Sequence, residues 1–256
     1  MEIKEKPFDF ELGEVLLVNK PIRWTSFDIV GKIKSCIGKK KLKIGHAGTL
    51  DPLAEGLLII CTGKKTKEID SYQGLEKEYT GTLRFGATRP SFDLETQIDE
   101  RFPFEHIDKA SIELALKNFM GKIEQISPVY SARRIQGVRS YEMARSGQNI
   151  EIKPREVEIF DFQSLEFHLP DWSFKVRCSK GTYIRSLVRD LGSALNSGAY
   201  LSQLTRTSIG EYKLDQAWTL EDLCKKILDQ KPDQVPIKPL HLEENRRIQQ
   251  YWEDPN

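Results

Sequence analysis

The segment Ile44-Gly45-His46-Ala47-Gly48-Thr49-Leu50-Asp51-Pro52-Leu53-Ala54-Glu55-Gly56 gathers the residue types most able to do chemistry. Two glycines flank His46. Gly45 and Gly48 permit backbone angles, or the close approach of a ligand, that other residues resist. Pro52 pushes Asp51 away from the α region into an extended conformation, so the turn presents one rigid carboxylate. That arrangement suits catalysis, and a plain turn closed by an Asx hydrogen bond fits the same residues.

Sharper motifs fail on inspection. Thr62-Gly63-Lys64-Lys65-Thr66 echoes a phosphate loop, but Lys65 follows the lysine and Leu58 stands where the first glycine belongs. No G-x-G-x-x-G occurs, which leaves a dinucleotide fold without support. The four histidines, His46, His106, His168 and His241, have no metal-ligand spacing, so no catalytic zinc is expected. Asp51 and Glu55 would be a carboxylate pair for glycoside hydrolysis, but Pro52 and Gly56 argue against a shared helical face. Ser131 and Ser179 lack a nucleophile elbow. One oriented Asp near basic residues remains, with neither metal nor cofactor expected.

The elements that must position this turn alternate in type. Glu14–Asn19 reads as a strand. Thr25 and Ser26 can cap a helix carrying Ile29, Val30, Ile33 and Ile37 at helical spacing, with Asp28 in its first turn and Gly38 at its end. Leu57–Cys61 is a short buried strand, and Tyr79–Phe85 another strand. Ile112, Leu116, Phe119 and Met120 mark a helix. Trp172, Phe174, Val176 and Cys178 alternate with Ser173, Lys175 and Arg177, giving a strand with one buried face. Ile184, Leu187, Val188, Leu191 and Leu195 define the most periodic helix, and Thr219 caps a last one with Leu220, Leu223 and Ile227. Lys231–Pro239 reads as a loop or linker. The class is mixed α/β, without the regular βαβ rhythm of a doubly wound sheet.

Composition bounds the function. In 256 residues, 39 Lys and Arg balance 38 Asp and Glu, with 39% hydrophobic residues, an ordinary globular mixture. The strongest apolar run, Gly56–Cys61, is far short of the ~20 residues that span a bilayer. The charged start Met1-Glu2-Ile3-Lys4-Glu5-Lys6 has no apolar signal core behind it. Scattered Cys36, Cys61, Cys178 and Cys224 form no C-x-x-C pair, so a reducing cytoplasm is the expected setting. The neutral total hides segregation. No acid lies between Asp28 and Asp51, an interval holding Lys32, Lys34, Lys39, Lys40, Lys41 and Lys43. Arg133, Arg134, Arg139 and Arg145 face only Glu142, and Lys175, Arg177, Lys180, Arg185 and Arg189 form a third basic stretch, whereas acids gather at Asp93, Glu95, Asp99 and Glu100. Solvated faces account for any single run; three together point to a polyanion surface.

The stretch Gly45–Leu58 resembles the catalytic motif of the TruB family of bacterial tRNA pseudouridine synthases. Asn19-Lys20-Pro21 with Trp24-Thr25-Ser26 is similar to the family's N-terminal motif, and Lys77-Glu78-Tyr79 to its tyrosine motif. Pro128-Val129-Tyr130-Ser131-Ala132 with Gly137, Tyr141 and Ala144-Arg145 resembles its RNA-gripping insertion. Cys178-Ser179-Lys180-Gly181-Thr182-Tyr183-Ile184-Arg185 and Leu204-Thr205-Arg206 complete the set, which covers Gly13–Tyr212 in order. Two departures, Arg23 for the usual glycine and Arg134 for a usual lysine, keep or add positive charge.

The resemblance implies a pseudouridine synthase fold: a mixed, largely antiparallel central sheet flanked by helices, with an RNA-binding insertion at about residues 124–152. Residues 1–213 are then the catalytic domain. Residues 214–256 are a short helical extension, too few for the RNA-binding PUA domain that many members append. The implied activity is isomerisation of uridine to pseudouridine at position 55 of the tRNA T loop, by base flipping and cleavage and re-formation of the glycosidic bond. Asp51 is the implied nucleophile or base, kept ionised by Arg185 against the pull of desolvation. By the same resemblance Tyr79 stacks on the flipped uracil and is a candidate to move the proton at C5, Tyr183 and Leu204 shape the pocket, His46 takes up space near the flipped nucleotide and contacts the RNA, and Lys20 orders the active-site loop or touches phosphate. Lys39, Lys40, Lys41, Arg133, Arg134, Arg145 and Lys180 meet the RNA backbone. The implied setting is cytoplasmic: a monomer acting on the T stem-loop, with no membrane, guide RNA or cofactor. A non-catalytic tRNA-binding or folding protein, a synthase for another RNA site, and a small-molecule glycosidase or nucleosidase are the rivals.

Overall fold

In the computed structural model of the protein the described residues are 7–130, 134–135, 138–139 and 152–230, the two short pairs by backbone only. They gather into two units, one from the chain up to Leu75 and from Arg206 onward, the other from Glu76–Thr205.

The first unit opens with β1 (Val15–Lys20), α1 (Ser26–Ile37), β2 (Ile44–His46) and β3 (Glu55–Thr62), then a 3-10 turn over Gly63–Glu68 and α2 (Ile69–Gly74). β1 and β2 both run antiparallel to β3, with Lys20 opposite Gly56 and His46 opposite Ile60. The continuous apolar run of β3 is explained by burial of both its faces. Leu58 and Ile60 join Leu16, Val18 and the Ile29, Val30, Ile33 and Ile37 face of α1, whereas Leu57, Ile59 and Cys61 pack with Ala47 and Ile209. α1 begins where its cap residues dictate: the Thr25 side chain accepts from the Asp28 N–H, and the Asp28 carboxylate accepts from the Thr25 N–H. It ends at Gly38, in the left-handed region at φ 71°, where glycine carries no Cβ penalty.

The second unit holds β4 (Lys77–Phe85), the short pair β5 (Ala87–Thr88) and β6 (Glu100–Arg101), α3 (Lys109–Leu116) and β7 (Gly121–Gln125). The antiparallel pair β8 (Arg134–Ile135) and β9 (Val138–Arg139) follows, then β10 (Arg155–His168), β11 (Asp171–Cys178) and α4 (Ile184–Ala194). Its strands run β4-β11-β10-β7, antiparallel at each step. Trp172, Phe174, Val176 and Cys178 are all buried, as their alternation predicts. The helix expected through Met120 is shorter. α3 stops at Leu116, Lys117–Phe119 tightens into a 3-10 turn, and Met120 is already extended and exposed, because Gly121 at φ 77° starts β7.

β12 (Ala199–Ile209) carries the chain back into the first unit, where β13 (Tyr212–Lys213) folds against its end. β14 (Trp218–Thr219) pairs parallel to β1, and α5 (Leu220–Asp229), capped by Thr219, buries Leu220, Leu223, Cys224 and Ile227 in the core shared with α1. The buried Cys36 and Cys224 sulfurs lie 2.8 Å apart there, and all four cysteines are free. The result is the expected mixed α/β class with a largely antiparallel central sheet. The Lys231–Pro239 loop lies outside the described residues, as do Arg133, Gly137, Tyr141 and Arg145 of the insertion. Among the described residues no helix is long and apolar enough to cross a membrane.

Candidate active site

The Asp51 turn lies between β2 and β3, and four tethers hold it. After His46 the chain leaves the ladder with Ala47, whose N–H donates to Ile59 O at 2.8 Å. Gly48 then takes φ 102°. Ser26, the first residue of α1, accepts the Leu50 N–H on its hydroxyl at 2.9 Å and returns a bond to Leu50 O. The Ala54 N–H closes the turn on Asp51 O at 3.1 Å, and the Arg23 N–H donates to Pro52 O at 2.6 Å. Asp51 itself is half-buried.

Two buried cations stand beside this turn. Lys20 is 0% exposed, and its ammonium donates to Pro21 O at 3.0 Å and Trp24 O at 2.6 Å, locking the loop between β1 and α1. Burial lowers its pKa to about 7. The Asp51, Glu55 and Asp28 carboxylates oppose that fall and the Arg206 guanidinium adds to it. Arg206, 1% exposed, spends its donors on backbone: Nε on Leu57 O at 2.8 Å, Nη2 on Gly48 O at 3.1 Å and Nη1 on Thr49 O at 3.4 Å. One planar guanidinium thus ties the turn to the strand that follows it. Gly56 has no alternative there, since a Cβ would lie 2.4 Å from Arg206 O at φ 107°. His46 is held below its ordinary pKa by burial first and by Arg206 second, and its Nδ1 is buried without a hydrogen-bond partner among the described residues.

In the second unit, Tyr79 is buried on β4 opposite Val176. Gln125, at the end of β7, grips the start of α4: its amide accepts the Tyr183 N–H at 2.8 Å and donates to Tyr183 O at 3.1 Å. That side chain anchors the backbone of the residue before the helix, a contact the sequence does not announce. The Tyr183 ring carries the Arg155 guanidinium at 4.8 Å. Arg185, 3% exposed, donates to Ser91 O at 3.0 Å and Tyr130 O at 2.9 Å and faces the Asp93 carboxylate at 3.6 Å. Asp93 is itself buried, and its carboxylate also accepts the Glu95 N–H. Leu204 is buried on β12, and Lys180 is exposed on the turn before α4.

The expected backbone-binding residues divide. Lys39, Lys40 and Lys41 are exposed and, with Lys43, Lys64 and Lys67, line a concavity of about 640 Å³ in the first unit. Glu11 is the acid on its rim, 2.8 Å from Lys39. Lys64 comes from the stretch that failed as a phosphate loop, and Lys67 directly follows it. Arg134 is placed in β8 by backbone alone, while Arg133 and Arg145 lie outside the described residues. Sequence reasoning also left out Arg206 as a site residue. The signal was present, since strand alternation sets Arg206 on the same inward face as Leu204 and Ser208. The described residues hold no group of three His, Cys, Asp or Glu able to share a metal ion.

The family model described as TruB family pseudouridylate synthase, N terminal domain, matches residues 34–184, and that of the tRNA pseudouridylate synthase B C-terminal domain matches residues 185–243. The chain is 49% identical over 231 residues to tRNA pseudouridine synthase B of Phocaeicola vulgatus, covering 89% of this chain and 98% of the relative. It is 52% identical over 216 residues to the protein of the same name from Flavobacterium johnsoniae, covering 82% and 94%. Among solved structures, a Cbf5-Nop10-Gar1 complex matches with a TM-score of 0.67 at 26% identity, covering 89% of this chain and only 58% of that one. The chain belongs to the TruB family of pseudouridylate synthases.

Proposed function

We propose that the chain isomerises uridine to pseudouridine at position 55 in the T loop of tRNA. The chemistry breaks the C1′–N1 bond, turns the uracil while it is held, and joins C1′ to C5; the proton lost from C5 balances the one N1 gains. No redox step or external energy is needed. Extruding the target base from the loop costs a few kcal/mol, which contacts to the RNA must offset.

The observation that carries this reading is the tethered turn that presents Asp51. Asp51 sits on a turn tethered to Ser26, Arg23 and Arg206, and its charge is among those that act on the buried Lys20. A carboxylate carried on a backbone so held needs little reorganisation of its turn to open the reaction as nucleophile or base. His46, whose buried Nδ1 has no hydrogen-bond partner among the described residues, suits a residue that takes up space near the flipped nucleotide and contacts the RNA, and Lys20 is a positioning residue for the loop. Tyr79, Tyr183, Leu204 and Arg185 act on the same uridine in this reading, Tyr79 by stacking on the base. Lys39, Lys40 and Lys41, from their concavity, bind phosphates together with Lys180 and with Arg133, Arg134 and Arg145. Residues 1–213 carry the reaction and the segment from 214 serves as a helical extension. The enzyme works in the cytoplasm as a monomer, without guide RNA or cofactor.

Tritium release from tRNA labelled at C5 of uridine tests it. Wild type should release tritium, Asp51→Ala should release none, and Asp51→Asn should keep its tRNA affinity, whereas Arg134→Ala should weaken binding. A wild-type protein that binds tRNA without releasing tritium would make it a binding or folding protein instead.

A further inference from the structure

Arg23 and Phe27 are left over by this assignment, and each is placed at a cost. Arg23 holds φ 69°, a left-handed backbone conformation that glycine adopts freely and an L side chain resists. Strain of this kind at an exposed loop residue is an observed outlier from which a functional role can be argued. Phe27 occupies the second position of α1 and is 76% exposed, although the helix buries Ile29, Val30 and Ile33 on its other face. Ile22 beside them is 51% exposed. One exposed aromatic is ordinary; an aromatic and a strained arginine bolted to one catalytic turn are not.

The bolts are specific. The Arg23 N–H donates to Pro52 O, next to Asp51, at 2.6 Å. Ser26, preceding Phe27, exchanges two hydrogen bonds with Leu50 on the other side of Asp51. The loop carrying Arg23 and the helix start carrying Phe27 are therefore fixed to both flanks of the carboxylate. Arg23 gives the rim a positive charge, and the acids near it are Asp28 and the two carboxylates of the turn itself, Asp51 and Glu55. Asp28 is the only acid between Val15 and Leu50, and its carboxylate is turned onto the Thr25 N–H at 3.0 Å and the Thr25 hydroxyl at 2.6 Å.

We propose that Arg23 and Phe27 form a nucleotide-binding rim beside the Asp51 turn, where an unpaired base of the substrate RNA stacks on Phe27 and a neighbouring phosphate meets Arg23. It rests on the tRNA reading above and adds to it a contact for a nucleotide other than the target uridine. Base-on-aromatic stacking tolerates any base, and a guanidinium matches phosphate geometry. The strain at Arg23 is the cost of keeping a guanidinium where glycine would relax the loop.

This makes stability and binding move in opposite directions, which a purely structural role for Arg23 would not do. Arg23→Gly should raise Tm, weaken the Kd for tRNA about fivefold and flatten the slope of log K against log salt by about 0.7. Phe27→Ala should weaken Kd about fivefold with Tm unchanged, and Phe27→Trp should restore it. With wild type active, KM should follow Kd in both variants, and in Phe27→Ala kcat should hold within about twofold. Unchanged Kd and salt slope in both Arg23→Gly and Phe27→Ala would overturn the rim, as would a dimer lost on Phe27→Ala at constant tRNA affinity, which would mark a protein contact. Because Kd is read without turnover, a wild type that releases no tritium counts against the isomerase reading alone.

Discussion

Each unit buries an arginine almost completely, and the two are used differently. Arg206, in the first, gives its donors to three carbonyls of neutral backbone around the Asp51 turn. Arg185, in the second, serves two carbonyls and also faces the buried carboxylate of Asp93. A guanidinium bonded to carbonyls works as a rigid bracket whose worth is geometric. One set against a buried carboxylate is half of a charge pair, and removing it leaves the other half with a desolvation cost. The first arrangement shapes a turn; the second ties Arg185 to the Ser91–Asp93 loop.

The largest break in this comparison is Arg185→Met, which takes the guanidinium away from Asp93. It should cost about 3–5 kcal/mol of stability in urea unfolding, and adding Asp93→Asn should recover part of the loss. Equal costs for the single and double variants would show that the pair carries no charge coupling. Arg206→Met is next, at about 2–3 kcal/mol, since three carbonyls lose their donors but no opposite charge is stranded. Its signature is kinetic. Turnover should fall more than tenfold with little change in KM, because the Asp51 turn loses the tether to Leu57, and Arg206→Lys should rescue little of it, having no planar fork.

Lys20 gives the smallest effect and sharpens the comparison through pH. Its folded-state pKa, about 7, lies below its ordinary value of 10.5, so between these the unfolded chain holds a proton that the native protein has released. Stability from this group therefore rises with pH across that window and is lost as pH falls toward 7. Wild type should gain on the order of 2 kcal/mol relative to Lys20→Met between pH 7 and 9, read from urea midpoints. A constant difference between the two proteins over that range would mean that Lys20 keeps its proton when buried.

What could be read early and what could not follow from range. The ends of α1 were legible because Thr25, Asp28 and Gly38 act on their own backbone within one turn. Leu57–Cys61 was legible as a buried strand, since its apolar run required cover on both faces. Phe119 and Met120 misled because their spacing continues the period of Ile112 and Leu116 after the backbone has tightened and turned at Gly121. The burial of Asp93 was not legible at all, because the arginine that faces it stands 92 residues later in the chain.

By itself the sequence determined the element types, the basic segregation, the glycine–proline framing of Asp51 and, through the ordered motifs, the family. These rest on local steric and capping rules, or on patterns that survive without coordinates. Only the tertiary structure decided that Arg206 brackets the turn, that Lys20 is buried, that Asp93 faces Arg185 and that Arg23 is strained. Each depends on partners far apart in the chain or on a backbone angle set by its surroundings, and on water being excluded there, which makes a charge costly and its neighbours decisive.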